Sequence, residues 1–157
     1  PADELPAAVQ RYAGLAGMTG QGSPPPTQWF DGRARLFDIP RAIDERGTLT
    51  PLDFPKLPFS PRRLFAVGDV PAGTLRGGHG HRRGEQLLLC LQGRIAVRLA
   101  FGGRSAALTL HPGGPALLVG PGIWAEQRYE LPGSLLLVVA SEPYDPGSYF
   151  NEEDGGT

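Results

Sequence analysis

Residues 73–93 read GTLRGGHGHRRGEQLLLCLQG and hold two of the chain's three histidines, His79 and His81, one residue apart. Imidazole takes up and releases protons near neutral pH, and it also ligates metals. In an extended strand, residues two apart point to the same face, so the two rings project together. A dry core suits such a pair poorly, because each ring carries a donor and an acceptor that need partners. The pair therefore points to a pocket. Arg76, Arg82, Arg83 and Glu85 flank it, and a polar cluster against an apolar strand suits the mouth of a cavity. Two chemistries fit these residues. The histidines can move protons, or His79, His81 and Glu85 can form a two-histidine, one-carboxylate site for Fe(II) or another divalent ion. For Glu85 a surface ion pair with Arg82 or Arg83 is the plainer alternative. His111, in an HPGG turn, is expected to face solvent.

The elements that must position the pair are short and β-like. The run from Glu85 to Gln92 is apolar enough for a buried strand and ends at Gly93. Strands are expected around residues 35–39, 48–54, 62–70, at the His-x-His segment, and over 94–101 and 105–110. Three more follow near 116–120, 124–131 and 134–140. Pro51 inside the second implies an edge or a bulge. About ten short strands separated by Gly/Pro turns, with no long helical segment between them, predict an all-β sandwich or barrel. A small barrel offers an interior that holds one ligand. Residues 1–30 read differently. Leu5, Val9, Tyr12 and Leu15 predict a short amphipathic helix over 3–16, and SPPPT is an extended linker. The division is thus a 1–30 appendage and a 31–157 domain. The tail beyond Glu142 reads as loop or a short closing helix.

With 157 residues, the chain has the length of one domain with a real core. Its formal net charge of −1 gives no strong attraction to nucleic acid or membrane. Nearly all the basic residues are arginine, a forked donor suited to phosphate where several converge. Cys90 is the only cysteine and lies in the run LLLCL, where it reads as a small buried hydrophobe. One cysteine forms no intrachain disulfide, which fits a reducing cytoplasm. No apolar run approaches a membrane span.

The spacing of Gly73, His79, His81, Glu85 and Gly93 resembles the first motif of the cupins. The second motif begins at Gly114 and keeps Gly122, but has Gly120, Ala125 and Tyr129 where the pattern expects proline, histidine and asparagine. A narrower resemblance covers residues 33–154. Asp44-Glu45-Arg46-Gly47-Thr48-Leu49, Arg76-Gly77-Gly78-His79-Gly80-His81-Arg82, and Leu137-Val138-Val139-Ala140-Ser141 with Tyr144-Asp145 resemble the nucleotide-sugar 3,4-ketoisomerases. Their hallmark Arg-Gly-x-His-Ala-His-Lys is here Arg-Gly-Gly-His-Gly-His-Arg. The resemblance implies an all-β cupin (RmlC-like) jelly-roll barrel, a homodimer, and a reaction without metal or cofactor. The implied substrate is dTDP-4-keto-6-deoxyglucose, on a route to deoxysugars and polysaccharide.

Moving the ketone from C4 to C3 takes two proton transfers through an enediol, and two imidazoles on one face can serve adjacent carbons. By the resemblance, His81 is the base and His79 relays the proton or polarises a sugar oxygen. Arg46 and Arg76 are placed to clamp the diphosphate, and Arg76 also to offset enediolate charge. Gln86 and Trp124 complete the substrate-binding set, Trp124 as an apolar wall or else as core packing. Two departures stand out. A tyrosine of the family corresponds to Ala66, with Phe65 beside it, and the histidine of a Trp-His pair is Ala125. They keep two rivals open, the metal cupin and a sugar-nucleotide binder without turnover.

Overall fold

The computed structural model describes residues 25–153. The helix expected over 3–16 lies outside them. Among the described residues thirteen strands run in order: β1 (Gln28–Trp29), β2 (Ala34–Phe37), β3 (Ala42–Asp44), β4 (Gly47–Leu49), β5 (Arg63–Val67), β6 (Thr74–His81), β7 (Gln86–Gln92), β8 (Ile95–Phe101), β9 (Arg104–Leu110), β10 (Ala116–Val119), β11 (Trp124–Tyr129), β12 (Leu135–Ala140) and β13 (Tyr149–Phe150). Two single 3-10 turns, Phe54–Lys56 and Pro146–Ser148, are the only helical elements among the described residues.

The strands form a six-stranded sheet, order β1-β2-β10-β7-β12-β5, a five-stranded sheet, order β13-β6-β11-β8-β9, and the separate hairpin β3-β4. All the strand pairings are antiparallel. The two large sheets enclose one core, which makes the molecule the all-β jelly-roll barrel expected. From the six-stranded sheet the core takes Leu88, Cys90, Leu117, Val119, Leu136 and Val138, and from the five-stranded sheet Ile95, Val97, Leu99 and Tyr129.

Antiparallel sheets often show water one face, and then apolar residues alternate with polar ones. β7 does not alternate, because both its faces are covered. Leu88 and Cys90 point into the barrel. Leu87 and Leu89 belong to a second cluster with Ile39, Ala116, Leu118 and Val139, over which Phe37, Leu52, Leu57 and Phe59 pack. Residues 37–39 and 52–59 thus form a cap on the outside of the six-stranded sheet.

Three expectations change. The strand over 48–54 does not form. β4 ends at Leu49, before Pro51, and the chain then turns through Phe54–Lys56 with proline in the first turn. Proline lacks the N–H that a ladder needs and its fixed φ suits a helical start. The sheet begins earlier than residue 31. β1 pairs with β2, and Phe30 is buried in the core. The tail is loop with the short 3-10 turn Pro146–Ser148, as expected, but it also contributes β13, which pairs with β6.

Candidate active site

β6 carries the site. His79 and His81 line a cavity that also takes in Arg76. Strict alternation would put Arg76 and His79, three apart, on opposite faces. A β-bulge removes the conflict. Across the ladder Ala125 faces His79, Glu126 faces Gly77 and Gln127 faces Arg76, so Gly78 is extra. One additional residue resets the phase of the strand. Gly77 and Gly78 adopt φ +79° and +74°, conformations glycine takes without penalty. A Cβ at Gly77 would also lie 2.6 Å from Gln127 Oε1. The Gly-Gly pair is therefore what lets one strand present an arginine and both histidines to the same space.

The cavity holds about 160 Å³. Its walls are apolar at Phe65, Leu88, Val119, Ile123, Leu136 and Val138, and polar at Arg63, Arg76, His79, His81, Gln86 and Gln127. The imidazole centroids are 5.3 Å apart with planes at 71°. Gln86 Nε2 lies 3.1 Å from His81 Nε2. An amide nitrogen only donates, so His81 Nε2 accepts and its proton sits on Nδ1. Burial pushes the His81 pKa down from 6.5 to about 4, helped by His79 and by the Arg63 guanidinium. His81 is neutral at physiological pH.

A third ring completes the group. Tyr149, on β13, stacks on His79 with centroids 4.7 Å apart and planes 7° from parallel. It meets His81 edge-on at 4.5 Å. Residue pairing explains this placement, since Tyr149 is the cross-strand partner of His81. Buried Tyr129, whose phenol burial pushes up to about 12, also lines the cavity as a neutral hydrogen-bonding group.

Of the residues expected to bind substrate, Arg76 and Gln86 line the cavity. Trp124 does not. It precedes inward-facing Ala125 on β11, so its ring lies on the outer face of the sheet, 4% exposed, packed with Ala100 and Phe150. Arg98 covers that ring, and its Nε1–H donates to the Asn151 carbonyl at 3.2 Å. The core-packing alternative for Trp124 is the one the fold adopts. Arg46 is exposed on the β3-β4 turn, ion-paired with Asp44 and apart from the cavity walls. Glu85 lies outside the cavity of the histidines, and its backbone N–H donates to Ser141 Oγ. Among the described residues no three His, Cys, Asp or Glu side chains are placed to hold a metal ion, so the set His79, His81 and Glu85 is not assembled. Its Glu85 leaves the strand face after the turn at 82–84.

On β5, Arg63, Phe65 and Val67 line the cavity while Ala66 is exposed. Phe65 rather than Ala66 is thus the residue of this strand facing the histidines. Ala125, opposite His79, leaves space beside it. Sequence reasoning passed over Arg63 and Tyr149. For Arg63, the alternation of 63, 65 and 67 in an edge strand was the available signal. For Tyr149, no local pattern marked a two-residue strand.

Residues 33–155 match the family described as "FdtA: WxcM-like, C-terminal". The TDP-4-oxo-6-deoxy-alpha-D-glucose-3,4-oxoisomerase of Aneurinibacillus thermoaerophilus is 32% identical over 121 residues, which span 76% of this chain and 87% of that protein. A histidine-to-asparagine mutant of the 3,4-ketoisomerase QdtA from Thermoanaerobacterium thermosaccharolyticum, solved with TDP-4-keto-6-deoxyglucose, superposes with a TM-score of 0.73 at 30% identity, over 76% of this chain and 88% of that one. The TDP-quinovose 3,4-ketoisomerase WlaRB of Campylobacter jejuni gives 0.70 at 28% identity, over 76% and 92%. With a barrel of this shape, a histidine pair on its inner wall and a match over most of its length, the chain belongs to the FdtA/WxcM-like ketoisomerase family.

Proposed function

We propose that this chain is a sugar 3,4-ketoisomerase that converts a TDP-linked 4-keto-6-deoxyhexose into its 3-keto isomer. The observation that carries the reading is the placement of two imidazoles and a guanidinium on one inner wall. A base takes the C3 proton, which the C4 carbonyl acidifies, while the C4 oxygen gains a proton. The resulting enediol returns its O3 proton and receives one at C4, leaving the ketone at C3. No electrons enter or leave.

The surroundings of the two rings support reversing the division of labour expected from sequence. His81 has its Nε2 lone pair engaged by Gln86 and its basicity lowered by burial. Such a group is a weak base at C3 but a competent neutral donor through Nδ1–H to a sugar oxygen. His79 is then the base at C3. Arg76 and neutral Tyr129 offset charge on the enediolate oxygen. Incubation with TDP-4-keto-6-deoxyglucose in deuterated water, followed by NMR at C3 and C4, tests the reaction. Deuterium at C4 of a 3-keto product is the expected result, and no incorporation at either carbon refutes it.

The hairpin β3-β4 supports a homodimer. Ile43 and Leu49 on it are 54% and 64% exposed, and among the described residues its edges pair with no other strand. β2 is already held between β1 and β10, so the hairpin is the part of the 34–54 region left to meet a partner's sheet. In such a dimer Arg46 serves the partner's cavity. No helix among the described residues is long and apolar enough to cross a membrane. A cytoplasmic role in deoxysugar and polysaccharide synthesis fits a nucleotide-sugar substrate.

A further inference from the structure

The C-terminal segment 142–153 is tied across β6 by contacts that converge on one ring. The backbone N–H of Arg82 donates to the Ser148 carbonyl at 2.7 Å, and Arg83 N–H to Ser148 Oγ at 3.2 Å. Asp145 pairs with Arg83 and accepts from the Gly147 N–H, starting the 3-10 turn. β13 then alternates as a strand must. Tyr149 turns in against both imidazoles, and Tyr144 braces it edge-on at 6.1 Å. Phe150 turns out and packs with Trp124 and Ala100. Phe150 is the cross-strand partner of Gly80, the residue between the two histidines. A Cβ at Gly80 would run into the Phe150 ring and lie 2.5 Å from the Ile123 carbonyl oxygen. The same two-residue strand thus touches the inner face of β6 at the histidines and the outer face at the glycine between them.

We propose that Tyr149 is a positioning residue whose ring holds both imidazoles at their working angles, and that Gly80 is the opening through which Phe150 seats the strand that delivers it. Parallel stacking constrains the plane of His79, and the edge contact constrains His81. Apart from each other, the two histidines have Tyr149 as their shared aromatic contact. The ring, and not the phenolic hydroxyl, does this. The kinetic part rests on the ketoisomerase reading, whereas the spectroscopic part stands without it.

The test compares Tyr149→Leu, Tyr149→Phe and Phe150→Ala in the full chain. NMR of the histidine ring protons reads the stacking directly, because an overlying aromatic ring shields them. We expect His79 resonances to lose that shielding in Tyr149→Leu and Phe150→Ala, and to keep it in Tyr149→Phe. With TDP-4-keto-6-deoxyglucose, Tyr149→Leu should lower kcat about 10- to 100-fold, as misplaced catalytic groups do, with KM little changed. Tyr149→Phe should recover most of that loss. Unchanged His79 resonances in Tyr149→Leu overturn the proposal. So does a Phe variant as slow as the Leu variant, which would assign the effect to the hydroxyl. A wild type inert on this substrate refutes the functional reading, and the resonances still decide the positioning role.

Discussion

His79 and His81 differ in surroundings more than their spacing suggests. His81 is held neutral by burial and by an amide donor, and its pKa of about 4 lies below its unfolded value of 6.5. A histidine whose folded pKa is depressed contributes stability that is present above the unfolded value and is lost as pH falls through the folded one. The fold should therefore lose stability between about pH 6.5 and 4, and His81→Asn should flatten that loss. Thermal melts of both proteins across this range check it, and parallel curves would argue against a buried neutral His81. For catalysis, His79→Asn should fold and bind the nucleotide sugar but lose turnover by at least about a hundredfold, the lower range for removing a general base. Deuterium exchange at C3 should vanish in it. Persistent C3 exchange would return the base role to His81. Trp124, by contrast, packs against Phe150 on the outer face of the sheet.

At the level of elements, β6 and β7 have opposite demands. β7 is buried on both faces, so its apolar run needs no phase. Leu89 sits at 2% exposure under the cap from residues 37–39 and 52–59. Leu89→Ala should cost about 2–5 kcal/mol, the range for truncating a buried leucine, and denaturant unfolding would measure it. Phase is everything for β6. Its bulge decides which side chains reach the cavity, and it depends on two glycines at positive φ. Gly78→Ala places a side chain in a left-handed conformation, where its Cβ meets only Trp124 in ordinary contact. The cost is then backbone strain of about 1 kcal/mol or more. We expect a modestly lower Tm together with a larger loss of kcat/KM, as the bulge slips and Arg76 leaves the wall. A loss of Tm with kcat/KM intact would show that the bulge does not set the site.

The whole molecule leaves one hairpin unaccounted for. β3-β4 carries Arg46 away from the cavity of its own chain, and its apolar residues Ile43 and Leu49 face outward. In the proposed dimer each cavity takes its histidines from one subunit and Arg46 from the other. Mixing His79→Asn with Arg46→Ala under conditions of subunit exchange should then raise activity above either parent, since one site of the mixed dimer carries neither defect. Light scattering should give dimer mass at micromolar concentration. A monomer by scattering, or no recovery on mixing, removes the role of Arg46 in the partner.

The residue types already determined much of this. The Gly/Pro-punctuated apolar runs implied an all-β barrel, because strand, turn and burial each leave a local mark. Two histidines two apart implied a shared face, because strand geometry is periodic. The motifs around them implied the family. Tertiary structure decided what depends on neighbours distant in sequence. It put Trp124 outside the wall and Phe65 rather than Ala66 inside it. It carried Arg46 off on a separate hairpin and kept Glu85 from joining the histidines. It also brought Tyr149, 68 positions beyond His81, into contact with both rings. A two-residue strand has too few positions to show a period. Its place follows instead from a partner ladder, a glycine small enough to admit Phe150, and the long-range contacts that tie the tail to β6.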